Sequence, residues 1–506
     1  MLQRTIARNS FFITIDTVVS FVSSLLVSIL AARVLGPDNL GYFNYLMWIS
    51  NMAALFVSFG VPAATNKYAA DLLGRDQPGA ALGLIRATVR YQAGMGLLMS
   101  VGGTLIVLAL LDSRHWTYSI LVMASLAPQA MMGLYSAAND ATEQTIYNVV
   151  PSMLSAVLQT SATLAALLGG FGLTGLAAAT LIGRTADAVF RYLSHRRLYG
   201  RLFPGVAPEP VSPELRGKLV TFCGHASVLW LLQAVVWDRS DVVFLERFCA
   251  ISQVTFFTVP FNLMNTVLLL PRIFTSAAGI SMTVQQGRDP AAVGGTLAKV
   301  LRYLTLAAAP MVAGVAALSV PIIKIYGPKY DPAAPVLLVV AIFGLWKVLM
   351  VPVQRVLVVT ENQRILIAVG IVCGVLNVAL DLWWVPRWGA MGAAFGSGIA
   401  QAIAAIAVIA IVVRRMRVPL PYATLAKTVA SAIAMGLVVG AIGRALPTAA
   451  ALAIGIPAGV VVYAAALRLS GALDAGDAAM LHRLAGQLPA VVRPWVARGV
   501  RLMVRG

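Results

Sequence analysis

The chain has 506 residues, of which 59% are hydrophobic and 11% charged, and its mean hydropathy is +0.84. A soluble domain carries about 25% charged residues, so a water-soluble enzyme, a disordered chain and a secreted disulfide scaffold are excluded. The formal net charge is +19, from 38 Lys and Arg against 19 Asp and Glu. These cations sit mainly in short loops between apolar runs, and no basic patch is interleaved with aromatics, so nucleic acid is not an expected partner.

In chain order, Arg4 and Arg8 precede the apolar run Phe11–Ala32. That run is longer than the core of a signal peptide, roughly 7–15 residues, and reads as an uncleaved first span. Apolar length with Gly, Pro and charge punctuation places fourteen spans. They lie near 10–32, 41–64, 83–111, 117–138, 146–169, 173–193, 219–240, 253–280, 297–320, 333–355, 364–385, 390–413, 424–446 and 449–469. Residues 470–506 carry Arg483, Arg493, Arg498, Arg501 and Arg505 among Leu, Val and Trp495, which predicts a basic amphipathic tail on anionic headgroups. With the N-terminus inside, most of the 38 cations fall on the cytoplasmic side. This bias places both termini in the cytoplasm and requires an even number of spans.

The chain repeats itself. Gly172-Leu-Thr-Gly175-Leu-Ala177 opens span 6, and Gly389-Ala-Met-Gly392-Ala-Ala394 opens span 12, at an offset of 217. Val157-Leu158-Gln159 matches Val375-Leu376-Asn377 at 218, and Arg90-Tyr91 matches Arg302-Tyr303 at 212. Arg33 before Tyr42-Phe43 matches Arg247 before Phe256-Phe257 at 214. Spans 3, 5 and 6 thus pair with 9, 11 and 12. The expected architecture is an all-α polytopic membrane protein with two parallel-repeat six-helix lobes, 1–200 and 218–414. Two additional helices over 424–469 and the tail over 470–506 follow. Secondary transporters commonly use such repeats and bind substrate where the halves meet.

Several chemistries are missing from the sequence. There is no GxxxxGK[ST] phosphate loop, no HExxH and no CxxC, and the four histidines are scattered. Cys223, Cys249 and Cys373 read as buried small hydrophobes. No cofactor and no enzymatic activity are expected.

Polar residues inside spans mark a candidate pathway, because a mid-bilayer charge costs about 2.5–3.5 kcal/mol and faces a cavity or a partner. Span 1 carries Asp16, Ser20, Ser23, Ser24 and Ser28 on one side. Span 2 carries Asn44, Asn51 and Ser58, span 7 carries His225, Gln233, Asp238, Arg239 and Asp241, and span 8 carries Asn262, Asn265 and Arg272. Spans 1 and 7, and 2 and 8, are equivalent in the repeat. The candidate substrate contacts are Arg272, Arg239, Lys347, Arg33, Asn44, Asn51, Asn262 and Asn265, and Asp16 is the candidate ion-coupling residue. Asn stripes also glue helices together. Asp381, just before Trp383-Trp384, reads as interfacial.

Arg33-Val-Leu-Gly36-Pro37-Asp-Asn-Leu-Gly41-Tyr42-Phe43 resembles the segment after the first span of the polysaccharide-transporter branch of the MOP exporter superfamily, the Wzx-type flippases. Ser58-Phe-Gly-Val-Pro62 resembles the end of their second span, and Pro321-Ile-Ile-Lys-Ile-Tyr326-Gly327-Pro-Lys-Tyr330 their approach to span 10. Gly374-Val-Leu-Asn377 with Val385-Pro386-Arg-Trp-Gly389-Ala-Met-Gly392 resembles the region around spans 11 and 12. The resemblance implies a bundle of two six-helix lobes in the bacterial cytoplasmic (inner) membrane. It also implies translocation, by alternating access, of an undecaprenyl-diphosphate-type lipid-linked oligosaccharide for O-antigen, capsule or exopolysaccharide. An H+ or Na+ gradient is the expected drive, and membrane lipids and polysaccharide assembly proteins are the expected partners. Competing readings are a lipid II flippase, a multidrug or cation antiporter of the same fold, and a membrane glycosyltransferase or polymerase.

Overall fold

The computed structural model describes residues 2–110, 113–144, 146–237, 240–269, 292–360 and 362–473, with 271 and 282 as single positions. Among these residues there are helices and no strands, and ten helices are long and apolar enough to cross a membrane. The chain is an all-α, multi-pass membrane protein. In lipid the backbone must satisfy its own polar groups, and a helix does so within one segment.

The helix α1 spans Leu2–Ser58 and breaks at Gly36, whose φ of 74° and ψ of 173° only glycine takes readily. Pro37 then restarts the helix, so the Gly36-Pro37 pair separates the first two expected spans. Next come α2 (Val61–Gly74), α3 (Pro78–Leu110), α4 (Ser113–Ala124) and α5 (Leu126–Asp140). The single residue Ser125 lies between α4 and α5, and together they form the fourth span. Then follow α6 (Ile146–Leu168), α7 (Gly172–Leu202) and α8 (Pro213–Trp237).

The second part of the chain holds α9 (Asp241–Phe248), α10 (Ser252–Val267), α11 (Ala292–Ala317) and the short α12 (Ser319–Lys324). It continues with α13 (Ala333–Val359), α14 (Gln363–Trp388), α15 (Ala390–Arg415), α16 (Tyr422–Ala445) and α17 (Thr448–Ser470). The chain divides into two compact units, Met1–Val235 and Val236–Gly506. Residues of the expected tail beyond Leu473 lie outside the described residues.

The internal repeat has a backbone counterpart. Gly172 and Gly389 both hold positive φ, 53° and 54°, at the turns that open α7 and α15. Their helices carry glycines where a neighbour comes close. A Cβ on Gly175 would lie 2.9 Å from Ala166 Cβ, and one on Gly392 would lie 2.4 Å from the Trp384 carbonyl oxygen. Small residues let membrane helices approach at the backbone, where packing drives association.

In the second unit, Leu297 and Leu301 of α11 pack with Val353 and Val356 of α13 and with Val408 and Val412 of α15. The last two helices cover the other side of α11, through Met435, Val439 and Leu467 against Ala309 and Leu318. Tyr463 donates its hydroxyl to the Leu306 carbonyl at 2.9 Å and fixes that register. Trp383, Trp384 and Trp388 stack in series at 6.4 and 5.6 Å between ring centroids, with Arg387 over Trp383 at 5.8 Å. Trp383 and Trp388 are exposed, as belongs to an aromatic girdle at a membrane–water boundary.

Candidate functional site

Polar side chains gather at three places inside the two units. The first is centred on Arg184 of α7. Its Nη1 donates to Ser50 Oγ at 3.1 Å and to Ser125 Oγ at 2.7 Å, and its Nη2 donates to Asn51 Oδ1 at 3.3 Å. Gln129 Nε2 donates to the same Asn51 oxygen at 3.2 Å. One guanidinium thus joins α1, α7 and the break between α4 and α5. Ser50 and Ser125 are fully buried, whereas Asn51 is exposed, so the cluster runs from the helix interior to an open edge. Every partner is neutral, and no Asp or Glu among the described residues pairs with Arg184. Trp48 Nε1, one turn before Asn51, and Gln129 Oε1 are buried without a hydrogen-bond partner. A guanidinium presents five donors in a fixed fork suited to phosphate oxygens. Without a carboxylate, this one still has charge to offer an anion.

The second place lies at another level of the same unit. Arg191, two turns along α7, pairs with Asp187 at 2.8 Å, and both side chains are largely buried. Asp16 lies within hydrogen-bonding reach of Ser152 and within electrostatic reach of Arg191 and Asp187. Asn148 donates to Asp140 Oδ1 at 2.7 Å and accepts from Asn139 at 3.1 Å, and His195 Nδ1 meets Asn139 Oδ1 at 3.2 Å. Here Asp187 has a resident cation in Arg191, while Asp16 Oδ1 is buried without a hydrogen-bond partner.

The third place is in the second unit. Asp241 opens α9, and Asn377 and Asp381 lie four apart on α14, one above the other on a single face. Their side chains are 2%, 1% and 0% exposed. Asn377 Nδ2 donates to Asp381 Oδ2 at 3.1 Å and to Ser240 Oγ at 3.3 Å. The carboxyl groups of Asp241 and Asp381 come within hydrogen-bonding reach of each other, and Lys347 of α13 acts on Asp241 electrostatically. Lys347 Nζ also lies 4.5 Å from the Phe261 ring centroid, over its face. Asp241 Oδ1, Asn377 Oδ1 and Asp381 Oδ1 are all buried without a hydrogen-bond partner. Gly396 of α15 makes room for the group, since a Cβ there would lie 2.8 Å from Asp381 Oδ1. Three orphan oxygens from two carboxylates and one amide suit a proton or a hard cation, which takes oxygen ligands. No group of three or more His, Cys, Asp or Glu able to hold a metal occurs among the described residues.

The expected site residues therefore separate. Asn51 joins the Arg184 cluster, Lys347 joins the Asp241 cluster, and Asp16 lies beside Ser152 and Arg191. Arg33 is exposed just before the Gly36 break, and Asn44 is half-buried two turns before Asn51. Asn262 and Asn265 are half-buried on α10, immediately after the Phe261 that Lys347 covers. Arg272 and Arg239 lie outside the described residues. Asp381 is not interfacial as its Trp neighbours suggest: it is fully buried against Asn377. Arg184, Asn377 and Asp381 were not singled out as site residues from sequence, and Asp241 was named only within the polar stripe of span 7. The available signal was the Asn377-x-x-x-Asp381 spacing within an apolar span.

No protein-family model and no curated protein matches the chain. Solved structures do. The lipid II flippase MurJ in an inward closed conformation superposes with a TM-score of 0.71 at 13% identity, over 90% of this chain and 97% of that one. An inward-facing multidrug resistance MATE family transporter of the MOP superfamily gives 0.66 at 14% identity, over 79% and 94%. A MOP-superfamily transporter from Pyrococcus furiosus gives 0.59 at 12%, over 81% and 96%. At these identities the likeness is one of fold: the chain has the fold of MOP-superfamily transporters across most of its length.

Proposed function

We propose that the protein is a flippase for a lipid-linked oligosaccharide, moving an undecaprenyl-diphosphate-type glycolipid from the inner to the outer leaflet of a bacterial cytoplasmic membrane. The observation that carries this reading is Arg184, a guanidinium in a membrane helix held only by neutral oxygens. An intramembrane cation without a carboxylate favours a negatively charged cargo. A diphosphate supplies that charge, and the guanidinium fork binds its oxygens bidentately. Asn51, Gln129 and Trp48 then exchange hydrogen bonds with the headgroup. The fold of the MurJ flippase supports a lipid-borne cargo, and the same likeness makes lipid II the second reading. A multidrug antiporter for cations fits less well, because Arg184 repels a cationic drug.

The coupling ion belongs at the Asp241–Asn377–Asp381 group. Two carboxylates buried side by side need a positive charge between them. A proton or sodium ion held by the three orphan oxygens neutralises that charge. Asp16, the other acidic candidate, contributes one orphan oxygen rather than three and has Arg191 within electrostatic reach. Both termini are cytoplasmic in this reading, with six-helix lobes over 1–200 and 218–414. The test is deletion followed by complementation. Wild-type protein and Arg184→Lys restore glycan export fully and partly, and Arg184→Gln, expressed and inserted equally, does not. Full export by Arg184→Gln would remove the observation on which the reading rests.

A further inference from the structure

Away from these clusters, the first unit holds a cavity of about 770 Å³ between the start of α3, the linker before α8, and α8 itself. Its walls are largely apolar, from Phe59, Tyr91, Val220 and their neighbours, but three arginines open onto it: Arg86, Arg90 and Arg216. Arg86 and Arg90 lie one turn apart on one face of α3. None of the three side chains makes an ion pair or a hydrogen bond among the described residues. The one acid on the wall is Glu209, so the cavity carries a net charge of +2. Glu214, the next acid along, is taken by Lys218 at 2.6 Å; that ammonium holds its carboxyl below the usual carboxylate range and leaves Arg216 uncompensated.

The floor of the cavity is built. Glu209 donates its backbone N–H to the Gly79 carbonyl at 2.9 Å, strapping the linker to α3. A Cβ on Gly83 would lie 1.7 Å from the Glu209 carbonyl oxygen, and one on Gly79 would lie 2.4 Å from Glu209 Oε1. Only glycine at position 83 admits the strap, because there the neighbour is the linker's own backbone. An open groove with apolar walls, three exposed guanidiniums and a net charge of +2 suits a ligand that is part hydrocarbon and part multiply charged anion. In the topology proposed above it lies at the cytoplasmic end, where a lipid assembled inside the cell first meets the protein.

We propose that this cavity is a loading site for the diphosphate and first prenyl units of a polyprenyl-diphosphate lipid, with Arg86, Arg90 and Arg216 gripping the phosphates. A diphosphate diester carries two negative charges and matches the net charge of the wall, whereas a phosphatidylglycerol headgroup carries one. This inference rests on the flippase reading but concerns a site separate from Arg184.

The test measures binding to full-length protein in nanodiscs of zwitterionic lipid. The probes are an undecaprenyl-diphosphate-linked sugar, which is the diester, with undecaprenyl monophosphate, phosphatidylglycerol and inorganic pyrophosphate. Wild-type protein should bind the diphosphate lipid at least tenfold more tightly than the monophosphate or phosphatidylglycerol, and pyrophosphate at equal concentration should not displace it. The double variant Arg86→Gln/Arg216→Gln should lose at least tenfold in affinity. Glu209→Gln, which raises the net charge, should gain severalfold, an outcome that misfolding cannot imitate. Unchanged affinity in both variants, equal binding of phosphatidylglycerol, or displacement by pyrophosphate alone would overturn the loading site. If the two variants bind as wild type while wild-type protein still flips the glycolipid, this site fails and the flippase reading stands. If wild-type protein flips no glycolipid, the flippase reading itself fails.

Discussion

Gly396→Ala tests the ion site with the smallest possible change. Gly396 lies on α15, in a helical stretch where alanine is favoured by about 1 kcal/mol over glycine. The added methyl carbon would lie 2.8 Å from Asp381 Oδ1 and 3.5 Å from Leu380 Cβ. Ordinary van der Waals contact begins near 3.4 Å, so the carboxylate must retreat by several tenths of an ångström. It has little room, because Asp381 is fully buried and its other oxygen is held by Asn377 at 3.1 Å. Overpacking of this kind costs about 1–3 kcal/mol. Charged to ion binding rather than to folding, that is a loss of about 5–150-fold in apparent cation affinity. The assay is glycolipid translocation in proteoliposomes against Na+ concentration and against pH, beside a thermal melt. The expected variant is folded, reaches the wild-type rate only at much higher cation concentration, and loses the stabilisation that the cation gives the wild type. An unchanged cation dependence in Gly396→Ala would refute the placement of the ion at Asp381.

Arg184→Gln should lower translocation by about 10–150-fold, the worth of about 1.5–3 kcal/mol for hydrogen bonds to a charged group, and Arg184→Lys should fall between it and wild type because it keeps the charge without the fork; initial rates at matched protein density decide this. Asp381→Asn should abolish cation-dependent stabilisation without lowering the melting temperature in cation-free buffer, since it removes one of two like charges held side by side, whereas Asp241→Asn should lower it, because that carboxylate faces the Lys347 ammonium; cation-dependent stabilisation that survives in both contradicts the carboxylate pair. Asp16→Asn should shift the cation dependence of transport less than Asp381→Asn does, since Arg191 and Ser152 lie within reach of that acid. Gly172→Ala should cost about 1–2 kcal/mol through its positive φ alone, and Gly389→Ala more, because its Cβ would also lie 2.6 Å from Gln253 Oε1, the acceptor for the Ala390 N–H; denaturant melts compare the two.

The architecture was readable because a membrane span needs about 20 apolar residues and announces itself by length. The Gly36-Pro37 break, the paired glycine turns at Gly172 and Gly389, and the closing helix pair that packs on α11 all follow from residues visible in the chain. The sites were less readable, because they depend on which helices touch. Arg184 stands near the middle of span 6, seven residues before the next cation, Arg191, so its mid-span position was visible but its partners were not. Only the packing of α7 against α1 and the α4–α5 break reveals that serines and an asparagine receive it and no carboxylate does. Asp381 reads as part of an aromatic boundary because Trp383 and Trp384 follow it, yet the helical turn directs it inward while Trp383 points outward. Asp241 is 136 residues from Asn377, and no local pattern joins them. Of the Asn stripes of spans 2 and 8, Asn51 meets Arg184, and Asn262 and Asn265 lie on α10 with Phe261, over which Lys347 sits.

The central claim is that an anionic, lipid-borne glycan crosses the membrane through this protein. Purified protein in liposomes that carry a fluorescent polyprenyl-diphosphate oligosaccharide tests it directly, with leaflet exposure read by a membrane-impermeant quencher and a cation gradient imposed across the bilayer. Wild-type protein should expose the lipid on the far leaflet far faster than empty liposomes and faster with the gradient than without it, and Arg184→Gln should be about 10–150-fold slower than wild type. Wild-type liposomes that move the glycolipid no faster than empty ones, yet transport a cationic drug, would contradict it.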